Sequence, residues 1–410
     1  METIRPASVA DLAAAIASAQ GAGTTLALTG GGSKRALGRP VDAAATLDLS
    51  AFSGIVDYQP SELVLTARAA TPMAEIADAL AGAHQILAFE PPDLGRLYGR
   101  KPGGGTLGGA LAANLAGPRR VKSGAARDHF LGFSGVSGRG EIFKGGAKVV
   151  KNVTGYDLPK LMAGSFGTLA AFDTVTVKVM PAPAEVLTIL IGGNDAHAAI
   201  RHLAWALNSP CEVSGAAYLP AELTCHSSVH LVRGCGTGVA AIRLEGTANS
   251  VAARARALAT DSSLWRYELP SELSRTLWAE IRDVVDILPY PASAVWRVSV
   301  PPTAGPDVVD AARAAAASAQ DVAAYYDWGG GLVWLATAPG GDSGAAAIRA
   351  AVARCGGHAT LVRAPDAVRA LVPVFEPLAG PLAALAARVK AAFDPARILN
   401  RGRMVAEPGP

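Results

Sequence analysis

Two glycine-rich segments in the first third of this 410-residue chain constrain its fold more than any other feature. Residues 30–35 read GGGSKR and residues 103–109 read GGGTLGG; each segment follows an apolar stretch and is followed by cationic side chains. Successive glycine amides can curl into a concave nest of N–H donors that binds an anion. A helix N-terminus, expected after the second segment, adds partial positive charge. The two segments therefore predict a diphosphate site, with a pair of glycine-rich turns as the structural alternative.

Composition excludes several classes of protein. The formal net charge of +3 is small for this length, and no basic stripe alternates with aromatic residues, so we expect no nucleic-acid binding. The four cysteines, at 211, 225, 235 and 355, lack the short spacing of a metal site, so we expect reduced thiols and no metal. No cationic leader and no apolar stretch of membrane-spanning length is recognisable, which indicates a cytoplasmic protein of two or three domains.

Local patterns indicate helices and strands that alternate along the chain. Ser8 followed by Asp11 is a capping box that opens a helix ending near Gly21. The sequence TTLALTG, before the first glycine segment, is typical of a buried strand, and Thr71 begins a second helix. The sequence TLGGALAANLA, residues 106–116, predicts a further helix. Prolines after the alternating strand TLAAFDTVTVKVMP suggest a domain boundary near residue 182.

A Rossmann dinucleotide-binding unit is the main alternative for the second glycine segment. Gly103, Gly105 and Gly108 satisfy G-x-G-x-x-G, and Asp128 lies near the distance expected for a ribose-binding acid. That fingerprint should directly follow a strand, whereas the proline- and glycine-rich sequence FEPPDLGRLYGRKP precedes this one. Asp128 also precedes a predicted strand instead of ending one. The context therefore argues against a Rossmann unit.

Longer stretches of sequence carry a family resemblance. The first 180 residues, with TGGGSK, GGGTLGGALAANLAG and AGSFGTLAAF, resemble the FAD-binding domain of the vanillyl-alcohol oxidase and p-cresol methylhydroxylase type. Further pieces, among them FEPP, LAGPRR, SGAARD, DWGG, GGHAT and FDPARILNRGRM, are similar to the E-type, FAD-binding subunits of bacterial glycolate oxidases and occur in the same order.

The resemblance implies an α+β fold with three parts. A two-part FAD-binding domain would occupy residues 1–182, a smaller α/β cap domain would occupy 183–378, and a C-terminal helix and tail, 379–410, would return to the FAD domain. It also implies which residues hold FAD, with the first glycine segment binding the pyrophosphate through its main chain. The implied cofactor-binding residues are Gly30, Gly31, Gly32, Ser33, Lys34, Gly108, Gly109, Asn114, Gly117, Gly124, Arg127, Asp128, Gly164, Ser165, Gly167, Thr168 and Asn400.

Two departures from the family pattern bear on chemistry. Some relatives attach FAD through a histidine in the first glycine segment, where this chain has Ser33 and Lys34, so we expect noncovalent FAD. The related D-type catalytic subunits carry a histidine-rich HxGDGNxH motif, which has no counterpart here. His358, in GGHAT, is a lone histidine and is read as structural.

No residue pair identifies itself as a catalytic base and its orienting partner. Oxidising a 2-hydroxy acid needs a base near the hydroxyl group and a cation near the carboxylate. Tyr156 and Arg403 are the catalytic candidates, and the alternative for Tyr156 is a buried core tyrosine. The cations that could anchor a carboxylate are Arg119, Arg120, Lys122, Lys151 and Arg403, although Arg119 and Arg120 could equally serve a subunit surface or the FAD phosphates.

Three functions remain open at this stage. The first is an FAD-binding subunit, auxiliary to a D-type flavin subunit and an iron–sulfur subunit, in a complex that oxidises glycolate or another small 2-hydroxy acid. In that case contact with the inner membrane would be indirect, through the partners. The second is an assembly module whose FAD is structural or absent. The third is a stand-alone flavin oxidase for an alcohol or hydroxy acid.

Overall fold

The computed structural model describes residues 2–147, 155–258 and 266–407. Helix α1 (Val9–Ala22) shows how local sequence sets its ends. The Asp11 amide donates to Ser8 Oγ at 3.1 Å and the Ser8 amide donates to Asp11 Oδ2 at 3.0 Å. Gly23 ends the helix in the left-handed conformation, with φ of 66°. The predicted capping box is confirmed.

The described residues up to 181 contain both strands and helices. The strands are β1 (Glu2–Ile4), β2 (Leu26–Thr29), β3 (Ala45–Asp48), β4 (Ile55–Gln59), β5 (Val64–Arg68), β6 (Gln85–Ile86), β7 (Phe130–Ser137), β8 (Ile142–Gly146), β9 (Ala170–Lys178) and β10 (Met180–Pro181). The helices after α1 are α2 (Met73–Gly82), α3 (Leu107–Ala112), α4 (Arg120–Ser123), α5 (Ala126–His129) and α6 (Leu158–Met162).

Two sheets of different type frame the glycine segments. A parallel sheet has the order β1-β3-β2, and an antiparallel sheet has the order β4-β5-β9-β7-β8, while β6 pairs with β10. Helix α1 packs on the parallel sheet through Leu12 and Ile16, and α3 packs on the antiparallel sheet through Leu107 and Leu111. The first glycine segment follows β2 and the second precedes α3, so the topology places both segments between the two sheets.

Helix α3 is shorter than the sequence pattern predicted. It ends at Ala112, because Asn114 adopts the left-handed conformation with φ of 47°. Asparagine tolerates this conformation better than most residues. The chain then turns, and Leu115 and Ala116 are buried beyond the helix instead of continuing it.

A second group of elements follows residue 184. Its strands are β11 (Glu185–Gly192), β12 (Gly215–Leu219), β13 (Val239–Gly246), β14 (Arg266–Leu269), β15 (Ala294–Ser299), β16 (Ala323–Asp327), β17 (Leu332–Thr337) and β18 (His358–Arg363). Its helices are α7 (Ala196–Leu207), α8 (Ala221–Thr224), α9 (His230–Arg233), α10 (Ala248–Ala257), α11 (Ser271–Arg282), α12 (Gly305–Ala315), α13 (Ala345–Cys355), α14 (Asp366–Leu371) and α15 (Gly380–Phe393).

These eight strands form one sheet with the order β14-β11-β13-β12-β16-β17-β15-β18. Each pairing that joins them is antiparallel, so this half is a helix-covered antiparallel layer and not a succession of βαβ units. Helices α7, α10, α12 and α13 cover one face with a common apolar core. The domain boundaries expected at residues 182 and 378 stay predictions.

The other face of the eight-stranded sheet packs on the glycine-containing half of the chain. Trp328 and Trp334 share a buried apolar cluster with Leu37, Leu97 and Leu115. At the C-terminus the Leu26 amide donates to Ile398 O at 2.8 Å, which brings the tail beside β2. In the described ranges no helix is both long enough and apolar enough to span a membrane.

Candidate functional site

A cleft lies between the two glycine segments in the described part of the chain. The space within its outline, including solvent at its open mouth, is about 840 Å³. Both glycine segments, the end of β2, the start of β9 and the C-terminal tail line it. Apolar side chains make up much of the wall, including Leu28, Leu49, Phe166 and Phe172, and this composition suits flat ring systems.

The first glycine segment presents free amide groups to this cleft. In the part of the chain that the structure describes, the N–H groups of Gly31, Gly32, Ser33 and Lys34 donate to no protein acceptor. Gly32 has φ of 70°, a conformation that favours glycine, and the Arg35 amide closes the turn onto Gly32 O at 3.3 Å. Four adjacent, unpaired donors on one loop form a nest for an anion.

The second glycine segment lies directly against the first. A Cβ built on Gly31 would overlap Gly104 O, and one built on Gly104 would lie 3.7 Å from Ser33 Cβ. A Cβ on Gly105 would lie 3.7 Å from Lys34 Nζ. The two segments therefore converge, and side chains at these positions would separate them.

The amides at the start of α3 are not available to a ligand. Leu107 N–H donates to Thr71 O at 3.1 Å, Gly108 N–H to Ala69 O at 2.8 Å, and Gly109 N–H to Thr106 Oγ1 at 3.2 Å. The expectation that this helix N-terminus contributes to the anion site is therefore wrong. Position 108 needs glycine for a different reason, because a Cβ built there would lie 2.6 Å from Ala69 O.

Lys34 supplies the positive charge beside the free amides. It is half-buried, and its Nζ has one hydrogen-bond partner among the described residues, Ser33 Oγ at 3.3 Å. Burial lowers the pKa of Lys34 to about 8, and the charge of Asp93 only partly offsets this effect. Asp93 is occupied with the second glycine segment, since it accepts the Gly103 amide at 2.5 Å. An ammonium group without a carboxylate in contact is matched to an incoming anion.

Comparison with known proteins agrees with this geometry. The family model of the FAD binding domain matches residues 2–146. Over 386 residues the chain is 34% identical to the glycolate oxidase subunit GlcE of Escherichia coli strain K12, and the alignment covers 94% of this chain and 93% of that protein. The chain belongs to the GlcE family.

Two further likenesses of the GlcE-family chain concern part of its sequence and its fold. It is 40% identical over 85 residues to the glycolate oxidase subunit GlcD of Bacillus subtilis strain 168, covering 21% of this chain and 18% of that protein. The structure of p-cresol methylhydroxylase with substrate bound superposes with a TM-score of 0.73 at 11% identity, covering 98% of this chain and 88% of that one. The expected fold is confirmed, and the chain is an FAD-dependent oxidoreductase subunit.

The cleft fits FAD on three observations. The four free amides of the first glycine segment match the acceptor oxygens of a diphosphate, and Lys34 matches its charge. The apolar walls match the two ring systems. None of the histidines and cysteines lies among the described residues that line the cleft, so this lining offers no usual attachment point for a covalent flavin.

Asn400 and Arg403 line the cleft, but their polar atoms serve mainly to hold its walls. Asn400 Oδ1 accepts the Leu28 amide at 2.9 Å, and its Nδ2 donates to Phe166 O at 2.8 Å. Arg403 Nη1 donates to Leu37 O at 2.6 Å, in the turn after the first glycine segment. Burial, together with the charge of Arg369, lowers the pKa of Arg403 to about 10. Arg403 Nε is buried without a hydrogen-bond partner among the described residues, and the catalytic role expected for Arg403 stays a prediction.

The structure divides the residues expected to hold FAD into two groups. Those that line the cleft are Gly30, Gly31, Gly32, Ser33, Lys34, Gly108, Gly109, Gly167 and Asn400. Those outside its lining are Asn114, Gly117, Gly124, Arg127, Asp128, Gly164, Ser165 and Thr168. Several of the second group shape nearby turns, as where Asp128 Oδ2 accepts the Ala125 amide at 2.8 Å and Asn114 Oδ1 accepts the Arg127 amide at 3.1 Å.

Tyr156 lies outside the lining of the cleft. Its side chain is 88% exposed, so the alternative of a buried core tyrosine is wrong, and it stands far from the enclosed setting that a catalytic base needs. Lys151, a candidate anchor for a carboxylate, lies outside the described residues.

A buried ionic network that sequence reasoning missed joins the two halves of the GlcE-family chain. Glu90 pairs with Arg119 at 2.9 Å and with Arg243 at 3.0 Å, and Arg119 also pairs with Glu245 at 2.6 Å. Burial alone would raise the pKa of Glu90, but the charges of Arg243 and Arg119 lower it. Arg119 is thus occupied by carboxylates of this chain and is not free to anchor a substrate. Lys122 is likewise paired, with Glu212 at 3.0 Å.

Proposed function

We propose that this chain is the FAD-binding subunit of a complex that oxidises glycolate to glyoxylate. Its partners would be a D-type flavin subunit and an iron–sulfur subunit, and its own share would be auxiliary. The observation that carries the proposal is the cleft whose lining brings together four unpaired amides and a half-buried lysine where two glycine segments converge. The 34% identity to the GlcE subunit over nearly the whole chain supports the substrate.

The residues of this chain would bind and orient the cofactor. The amides of Gly31 to Lys34 would donate to the diphosphate, and Lys34 would neutralise part of its charge. Asn400 would keep the tail and the Phe166 turn in place beside the rings. Bound FAD supplies hydride acceptance from a CH–OH carbon and onward electron transfer.

The composition of the cleft wall favours the proposal that this chain assists catalysis and does not itself supply the base. Among the described residues that line it, the titratable side chains are Lys34, Arg35 and Arg403, and there is no carboxylate, histidine or tyrosine. Proton abstraction from a substrate hydroxyl needs a base within hydrogen-bond reach. The base would then belong to the D-type subunit, and electrons would leave through the iron–sulfur subunit. Contact with the inner membrane, if the complex makes it, would be through these partners.

Copurification and anaerobic reduction test this proposal together. Tagged chain should bring down both untagged partners, and the purified chain alone should show the absorbance of bound flavin. Anaerobic glycolate should bleach the flavin of the assembled complex and leave that of the isolated chain oxidised. Bleaching of the isolated chain would overturn the auxiliary share. A complex that glycolate does not reduce would overturn the proposed substrate.

A further inference from the structure

Two arginines that the FAD cleft does not use converge on one tryptophan. Arg120 Cζ lies 4.3 Å from the centre of the Trp328 ring, and Arg297 Cζ lies 5.0 Å from the same centre. Arg120 comes from α4, and Arg297 from β15 of the eight-stranded sheet. None of the three residues lines the cleft, so this arginine pair is a separate feature where the two halves of the chain meet.

The guanidinium groups of this pair lack the partners that their neighbours have. Arg119 and Arg243, close by, are both paired with buried carboxylates. Within the described ranges, Arg120 and Arg297 have no carboxylate at ion-pair distance, and neither guanidinium donates to a protein acceptor. Burial, together with the charge of Arg120, lowers the pKa of Arg297 to about 10, and the charge of the nearby Asp327 only partly offsets this effect. Two like charges, each partly removed from water around one ring and offset only in part by Asp327, favour an anion beside them.

The backbone holds the indole ring in a fixed place. Trp328 has φ of 52°, unusual for a bulky residue, and is followed by Gly329 and Gly330 at 65° and 103°. Its amide donates to Asp327 Oδ1 at 2.7 Å, and its indole Nε1 donates to Gly117 O at 3.0 Å. Strained backbone of this kind is concentrated at binding sites. The DWGGG sequence, which the FAD cleft leaves unexplained, thus forms a rigid platform under both arginines.

His358 borders the same feature. In the register of the sheet Ser299 lies opposite His358, so Arg297, two residues before Ser299, projects from the same face. Partial desolvation, and then the charges of Arg297 and Arg120, lower the pKa of His358 and so favour its neutral form. A neutral imidazole can donate to, or accept from, a hydroxyl or keto group.

We infer that Arg120, Arg297 and Trp328 form a binding site for a small 2-hydroxy- or 2-oxocarboxylate, with His358 at its rim. A carboxylate matches the planar fork of a guanidinium and neutralises the repulsion between the two. His358 would then face the substituent on the second carbon. The choice of 2-hydroxy and 2-oxo acids rests on the proposed function, whereas the preference for a carboxylate rests on the arginine pair alone. Such a site lets this subunit bind the substrate or product without reacting with it.

Calorimetric titration of the FAD-loaded chain tests the inference without relying on turnover. Glycolate and glyoxylate are the two probes, which separate substrate from product, and glycolamide, which lacks the charge, is the matched neutral probe. Arg297→Gln and Arg120→Gln remove one guanidinium each, and Arg201→Gln, at an exposed position on α7, is the matched control. We expect each site variant to weaken carboxylate binding about 10- to 100-fold, as for loss of a charged hydrogen-bond pair. Glycolamide should not bind, and the control should behave as the wild type.

A purely structural role for the arginines predicts different results. If they serve only to pack on Trp328, the variants should lower the melting temperature and leave carboxylate affinity unchanged, and that pattern would overturn the inference. Absence of carboxylate binding by the wild-type chain would also overturn it. Flavin bleaching in the complex is measured separately from carboxylate binding to the chain. A complex that glycolate does not reduce would count against the proposed substrate even if carboxylate binding still depended on the arginines. A complex that glycolate reduces would leave the arginine site to be judged by binding alone.

Discussion

Replacing Lys34 with methionine should remove a pH dependence from FAD binding. Burial lowers the pKa of Lys34 from 10.5 to about 8 in the free protein. A diphosphate beside the ammonium should raise that pKa again toward or above its ordinary value, because it stabilises the charged form. Binding is then linked to proton uptake at this side chain, and a methionine side chain, which does not titrate, cannot take part.

The sign and size of the effect follow from the direction of the shift. The contribution of Lys34 to FAD affinity is complete below the free pKa of about 8 and declines as pH rises toward the pKa in the complex. Between pH 7 and pH 9 the free protein loses most of its ammonium charge while the complex keeps it. The dissociation constant should rise by roughly tenfold over this interval, or about 1.4 kcal/mol. Without FAD, the charged Lys34 destabilises the fold below pH 8, because burial removes its ammonium group from water. Lys34→Met should therefore raise the melting temperature of the free protein at pH 7.

Fluorescence titration of the apoprotein with FAD across this pH range measures the effect. Lys34→Met should bind FAD about 10- to 100-fold more weakly at pH 7, with a nearly flat profile up to pH 9. Lys144→Met, at a position outside the lining of the cleft, is the matched control and should follow the wild-type profile. The flavin's own ionisation affects all three proteins equally and so cancels in the comparison. Parallel profiles for the wild type and Lys34→Met would refute the placement of Lys34 beside the diphosphate.

Three further substitutions test the frame of the site by urea unfolding. Gly32→Ala should destabilise the fold by about 1–2 kcal/mol because its φ is positive, whereas Gly82→Ala, in open space at a helix end, should not; equal values would contradict the turn geometry. Glu90→Gln should cost about 3–5 kcal/mol, since it leaves Arg243 buried beside an uncharged amide, and a loss below about 1 kcal/mol would count against the ionic network. Asn400→Ala should cost about 1–3 kcal/mol and lower flavin content, and unchanged flavin content would argue that the tail does not shape the cleft.

Sequence patterns predicted the parts of the site that depend on local chemistry. The first glycine segment follows a strand, and its turn needs the left-handed conformation of Gly32, so a nest could be expected from spacing alone. The helix after the second segment was predicted too, although its end was placed too late because Asn114 turns the chain. Gly108 was expected beside the cofactor and does line the cleft, but its contact with Ala69, which leaves no room for a Cβ, depends on packing that the sequence does not show.

Features that depend on distant register could not be read from the chain. Glu90 meets Arg243 across 153 positions, and Arg297 reaches Trp328 only because β15 and β17 pair within one sheet. In the sequence Arg243 and Arg297 look like ordinary polar residues of their strands. Their partners, or the lack of partners, became visible only once the two halves were packed together. The same holds for Tyr156, whose exposure no pattern of neighbouring residues foretold.

Residue-resolved amide hydrogen exchange, with and without FAD, tests the central claim most directly. The account predicts that FAD slows exchange at Gly31, Gly32, Ser33 and Lys34 by at least about tenfold, because these amides are unpaired in the free protein and would donate to the diphosphate. Exchange at Gly108, whose amide already donates to Ala69, should change little by comparison. Unchanged exchange across residues 31–34 in the loaded protein would contradict the account.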